Sequence, residues 1–199
     1  VAPEHPYPAA LEDTIAAYHW LLEQGYPAEK IVVAGDSAGG GLALALCLWL
    51  KNHKEPLPSG VIAMSPWTDL TISGESVETN FEKDPLFGKT RDSMLYNKDY
   101  LGDNDPTNEY ISPLFGDYEG FPPLLIQVGS YEMLLSDSTR VAKKAKEAGG
   151  KVKLSIYEGM FHVFQMAMLL MPESKKAWAE IKRFLHYLDT CLLYTSDAA

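Results

Sequence analysis

Residues 31–50 read IVVAGDSAGGGLALALCLWL, and this stretch decides the fold. Ile31-Val32-Val33-Ala34 is a short run rich in β-branched residues, the composition of a buried strand. Gly35-Asp36-Ser37-Ala38-Gly39 follows at once, with no room for a connecting loop. From residue 40 to 51 the chain is apolar nearly all round, which predicts a buried helix. A strand that passes straight into a helix through G-x-S-x-G makes a sharp turn with the serine at its apex. There the serine backbone is strained and its hydroxyl exposed, and a Cβ two positions to either side is expected to collide with the turn. The first turn of the helix aims unpaired N–H groups and its positive dipole end at the same point. Ser37 is therefore the candidate nucleophile, and the N–H of Ala38 the candidate oxyanion donor.

Outward from the turn, strands and helices alternate. Residues 9–24 place Leu11, Ile15, Tyr18 and Leu22 at helical spacing and end at Gly25. Val61 to Met64 is the next strand. Residues 66–122 are irregular and rich in Pro, Gly, Asp and Asn, with short helices predicted near 75–81 and 91–101. So long a stretch inside one domain is usually functional, and it is expected to supply part of a binding wall. Leu124 to Val128 is a third strand, 137–148 an amphipathic helix closed by Gly149-Gly150, and Lys151 to Tyr157 a half-exposed strand. A last helix is expected over 173–188, and the Met-rich run Met166 to Met171 is read as packing. The pattern predicts an α/β fold, a mostly parallel sheet with helices on both faces.

A serine hydroxyl needs a base, and the base an orienting carboxylate. The elbow resembles that of the α/β-hydrolase fold, where the triad runs Ser, then Asp or Glu, then His. Of the five histidines, His5 lies in a Pro-rich loop before the serine, His19 and His186 on helices, and His53 in the loop after the elbow helix. His162 alone lies in a loop after a late strand, so it is the candidate base. The acid belongs just beyond the strand that ends near Gly129. Glu132 and Asp137 both qualify; Glu132 lies directly off the strand end, whereas Asp137 is well placed to cap the following helix. Trp67, Tyr131, Met160, Phe161 and Phe164 are candidate pocket walls; ordinary core packing is the alternative for each, and an equal one for Phe161 and Phe164.

Composition sets bounds. A chain of 199 residues with 46% hydrophobic and 22% charged residues can build one domain with a substantial core. The net charge of −10 argues against nucleic acid or an anionic membrane surface as partner. The longest apolar run, Leu42 to Leu50, has nine residues and is too short for membrane insertion. Two cysteines suggest neither a disulfide framework nor a metal site, and a cytoplasmic location is the default.

Six segments carry a more specific signal: APEHPYPAALED (2–13), GDSAGGGLA (35–43), SPWTDL (65–70), ISPLFGD (111–117), PPLLIQVGSYEMLLSDS (122–138) and YEGMFHVF (157–164). In this combination the chain resembles the bacterial hormone-sensitive lipase family of esterases over nearly its whole length, to about residue 188. The resemblance implies a serine carboxylesterase that hydrolyses short- to medium-chain esters through an acyl-enzyme on Ser37. It implies a small-molecule ester substrate, no metal or organic cofactor and, by analogy, a homodimer. The family often carries its triad aspartate in a D-P-L-R-D run. This sequence departs from that run, and aligning Gly129 and Leu134 places Glu132 at the acid position, with Asp137 still its rival.

The family also carries an H-G-G-G oxyanion segment and a cap upstream of APEHP, both before Val1 in this numbering. Residues 1–190 are accordingly read as a partial, N-terminally truncated catalytic domain, and 191–199 as a non-native tail. The isolated chain is expected to be nearly inactive. Two other functions fit the same residues: a non-catalytic small-ligand receptor, against which His162 argues, and an amidase or deacetylase with the same triad.

Overall fold

The computed structural model describes residues 1–88 and 97–196, with side chains through Thr190. Helix α1 (Ala9–Glu23) precedes strand β1 (Val32–Asp36), which runs without a gap into helix α2 (Ser37–Asn52). Strand β2 (Gly60–Met64) leads into the irregular region, whose described residues include two four-residue helices, α3 (Ser76–Thr79) and α4 (Lys98–Leu101). Strand β3 (Leu124–Gly129), helix α5 (Leu135–Glu147), strand β4 (Val152–Tyr157) and helix α6 (Pro172–Ser196) complete the order.

The four strands form one parallel sheet in the order β1-β2-β3-β4, so each crossover moves one place across it. In register, Val33 faces Val61, Ile62 faces Leu125 and Leu125 faces Lys153. Because side chains alternate along a strand, the sheet presents two apolar faces. Val33, Val61, Ala63, Leu124, Ile126 and Leu154 pack against α2 and α5 through residues such as Leu44, Leu48, Val141 and Ala145. Val32, Ile62, Met64 and Leu125 pack on the other face against Ile181 and Phe184 of α6. A sheet covered on both faces explains why β3 is buried at every position. β4 is the half-exposed strand that its charged-apolar alternation predicts.

The apolar circumference of α2 has a use on each side. Leu44 and Leu48 face the sheet, while Leu46 and Leu50 meet Tyr18 and Ile31 beneath α1. Leu44, Leu48 and Leu50 are wholly buried, each contributing roughly 2 kcal/mol of transfer free energy. This helix is the rigid platform on which Ser37 stands.

Two expectations are corrected. The last helix extends beyond residue 188 to Ser196, so residues 191–196 continue a helix. The run Met166 to Met171 is largely not packing: its short 3₁₀ segment buries Phe164 and Gln165 and leaves Met166, Met168, Leu169 and Leu170 exposed. Of the helix expected over 91–101, the described part is α4, and the remainder lies outside the described residues.

Candidate active site

Ser37 is the first residue of α2 and has φ +51°, left-handed backbone that a serine adopts only under constraint. The constraint comes from β1 and α2, which meet with no linking residue. Gly35 makes this possible: a Cβ there would run into the carbonyl oxygen of Gly39. The expectation for Gly39 is not met, since a Cβ there would meet only Asp36 Oδ1 at 3.8 Å, an ordinary contact. The turn bends so that its inner surface lies on the Gly35 side alone. Ala38 is exposed at the head of the helix, where helix geometry leaves its N–H without an intrahelical acceptor.

His162 and Glu132 reach Ser37 from the loops after β4 and β3. The Ser37 hydroxyl donates to His162 Nε2 at 2.8 Å, and His162 Nδ1–H donates to Glu132 Oε2 at 2.9 Å. This tautomer is the one in which Nε2 keeps a lone pair for the serine proton. His162 and Glu132 are buried, and the imidazole rests on the ring of Phe87 with centroids 4.5 Å apart. The other carboxylate oxygen, Glu132 Oε1, accepts the Gly129 N–H at 2.6 Å and the Ser65 hydroxyl at 2.7 Å.

Asp137, the rival acid, does not face the imidazole. Its Oδ2 accepts the N–H groups of Thr68 at 2.6 Å and Asp69 at 2.9 Å. Burial pushes this carboxyl up to about 7, against the downward pull of those two N–H groups and with the nearby Asp69 charge adding to the rise. Asp69 itself is held below the usual carboxylate range. Burial acts upward on it, but hydrogen bonds from Ser73, Thr71 and Arg140 outweigh that.

The irregular region does supply a wall. A cavity of about 290 Å³ beside Ala38 and Gly39 is lined by Leu42, Ala45, Trp67, Leu70, Tyr100 and Ile111, among others. Of the anticipated wall residues, Trp67 belongs to it. Tyr131, Met160 and Phe161 are not among its lining residues; they sit on the loops that carry Glu132 and His162. Phe164 is fully buried against Tyr157 and is core. Trp67 is also tied to the elbow, its backbone N–H donating to the Ser37 carbonyl at 2.9 Å.

Several contributors were not anticipated. Asn80 donates from its side-chain amide to the carbonyls of Ser130 at 3.1 Å and Glu132 at 2.8 Å, and Asp84 Oδ2 accepts the Met133 N–H at 2.9 Å. The segment from α3 to Phe87 thus clamps the turn that carries Glu132. Asn80 and Asp84 lie some 50 residues from that turn in sequence, and no local pattern marks them. Ser65 had one signal, its place directly after the second predicted strand.

Known proteins resemble this chain along most of its length. Residues 1–166 match a family model described as alpha/beta hydrolase fold. An "Esterase" of Acinetobacter venetianus is 45% identical over 190 residues, covering 95% of this chain and 62% of the relative. An "Acetyl-hydrolase" of Streptomyces hygroscopicus is 42% identical over 175 residues, covering 88% of this chain and 58% of the relative. Among solved structures, an esterase from the bacterial hormone-sensitive lipase family superposes with a TM-score of 0.90 at 44% identity, over 94% of this chain and 63% of that one. The chain therefore spans about three fifths of the length of these relatives.

Proposed function

The chain belongs to the α/β-hydrolase fold family, and on that premise we propose that its protein is a serine carboxylesterase of the hormone-sensitive lipase type, acting on short- to medium-chain esters. The observation that carries this reading is the hydrogen-bonded row Ser37–His162–Glu132 at the head of a buried helix.

His162 takes the Ser37 proton as Oγ attacks the ester carbonyl. The oxyanion that forms is met by the Ala38 N–H and the positive end of α2. The imidazolium, held by Glu132, then protonates the departing alcohol oxygen, and the carbonyl re-forms as an acyl-enzyme. Water enters, gives its proton to His162 and attacks the acyl carbon, and the acid leaves as Ser37 recovers its proton. The resemblance places further oxyanion donors, the H-G-G-G segment, upstream of Val1, so the Ala38 N–H is one donor of the set.

The cavity beside Ala38 is apolar and small for a ligand site, which suits a short acyl or alcohol group more than a bulky one. A relative named an acetyl-hydrolase agrees with that size. Among the described residues no helix is long and apolar enough to cross a membrane. We assign the protein to the cytoplasm and to a homodimer as working proposals, which cell fractionation and light scattering on the purified protein check.

The test is hydrolysis of p-nitrophenyl acetate, butyrate and octanoate by the protein of the full reading frame that carries this chain, with Ser37→Ala alongside. Turnover that disappears in Ser37→Ala is expected. Ester turnover that survives it, or a folded protein that cleaves the matching anilides and not the esters, would overturn the reading.

A further inference from the structure

Three non-glycine residues near the triad hold left-handed backbone: Ser37 at φ +51°, Ser65 at φ +47° and Val163 at φ +52°. Such positions ordinarily take glycine or asparagine, and strain of this kind persists where the surrounding structure over-determines it. Ser37 is explained by the elbow. The other two are joined to each other, since the Val163 N–H donates to the Ser65 hydroxyl at 3.1 Å. The same hydroxyl donates its proton to Glu132 Oε1 at 2.7 Å.

Ser65 is the first residue past β2 and is fully buried. Its own N–H donates to the Gln127 carbonyl at 2.7 Å, which pins the strand exit to β3. The left-handed turn there sends the side chain toward the loops after β3 and β4. One hydroxyl therefore touches the carboxylate of Glu132 and the backbone of the residue that follows His162.

We infer that Ser65 is a positioning residue that fixes the acid against the base, an inference that rests on the triad proposed above. Two donors on Oε1, the Ser65 hydroxyl and the Gly129 N–H, set the plane of the carboxylate and leave Oε2 for the imidazole. The acceptor half of the same hydroxyl holds the histidine loop at Val163. Without it, the carboxylate keeps one donor on Oε1 and is free to turn about it, and the loop loses its tie to β2. Ser65 is fully buried and its hydroxyl bonds to Glu132 and Val163, so its effect passes through the orientation of His162 and falls on the chemical step.

The experiment compares Ser65→Ala and Ser65→Gly with wild type and Ser37→Ala, all in the protein of the full reading frame. Four quantities are read for wild type and both Ser65 variants: kcat and KM on p-nitrophenyl butyrate, the rate of covalent labelling of Ser37 by a fluorophosphonate, and Tm; Ser37→Ala serves as the inactive control. Both variants are expected to lose about ten-fold in kcat and in labelling rate, the rate equivalent of one hydrogen bond to a charged group, with KM within two-fold. Glycine relieves the strained backbone, so Ser65→Gly is expected to lose activity without a matching fall in Tm. A Ser65→Gly protein with kcat within two-fold of wild type, or one whose loss appears in KM with the labelling rate unchanged, would overturn the inference. If Ser37→Ala retains full turnover, it is the proposed esterase mechanism that fails. Should one Ser65 variant give no cooperative melt, the other decides.

Discussion

Asp137 accepts the backbone N–H of Thr68 at 2.6 Å, and through this contact helix α5 grips the loop that leaves β2. The neighbouring Trp67 backbone N–H reaches the carbonyl of Ser37 at 2.9 Å, so the same loop braces the elbow and forms one wall of the cavity. A buried carboxylate with two backbone donors is a structural anchor, and its substitution should act on the loop before it acts on chemistry.

Glu132 and Asp137 are therefore separable by mutation. Glu132→Gln removes the charge that orients and stabilises the His162 imidazolium, and kcat on p-nitrophenyl butyrate is expected to fall by about 10³- to 10⁴-fold. Asp137→Asn keeps an oxygen for the Thr68 and Asp69 N–H groups and is expected to stay within about ten-fold of wild type. The reverse ranking would make Asp137 the acid.

The raised carboxyl of Asp137 has a consequence for stability. With its folded value near 7 and an unfolded value near 4, the folded state binds more protons across that interval. Stability from this group is then greatest at low pH and falls as pH rises from about 4 to about 7, the opposite of a salt-bridged carboxylate. Asp69 and Glu180, both held low, contribute stability that is lost as pH falls below the usual carboxylate range. The effect of Glu180 cancels when Asp137→Asn is compared with wild type at each pH, whereas that of Asp69, which is coupled to Asp137, cancels only in part. The Tm of wild type minus that of Asp137→Asn should shrink steadily between pH 4 and pH 7. A difference that stays constant would show that Asp137 is ionised throughout that range.

Much of this architecture is legible in the letters because its determinants are local. The β-branched run at Ile31 to Val33, the glycines around Ser37 and the apolar ring of α2 each specify their element within a few residues. The histidine that hydrogen-bonds to Ser37 could be picked by chain order and loop position alone. What was not legible is set by contacts between distant segments. Nothing near Tyr131 or Phe161 tells that they lie off the cavity, because Leu70, Tyr100 and Ile111 from the irregular region form its wall instead. The clamp of Asn80 and Asp84 on the acid turn is equally non-local. Ser65 reads as an ordinary strand-end serine until its backbone angle and its two partners are known.

The two elbow glycines should respond differently to alanine. At Gly35 the added Cβ meets backbone of the Gly39–Gly40 turn, which cannot yield without moving Ser37. Gly35→Ala is expected to cost about 3 kcal/mol or more and to abolish turnover. Gly39 lies in the first turn of α2, where an added Cβ makes only an ordinary contact with Asp36 Oδ1 and alanine is the better helix former. Gly39→Ala should change stability by no more than about 1 kcal/mol. Denaturant melts of the two variants decide this, and equal destabilisation would mean that the turn is tight on both sides.

The cavity beside the elbow predicts a graded change in chain-length preference. Leu42 projects into it from the second turn of α2, on a helix whose backbone is fixed by the sheet. Truncation to alanine adds room at a rigid wall, so the space should remain available to substrate. If this cavity receives the acyl chain, Leu42→Ala raises the octanoate-to-acetate ratio of kcat/KM by about ten-fold, since one or two methylenes in an apolar pocket carry that much discrimination. If it receives the alcohol, the acyl series stays flat and the increase appears instead across methyl, butyl and hexyl esters of one acid. A ratio unchanged in both series would place substrate elsewhere and leave the cavity with no part in specificity.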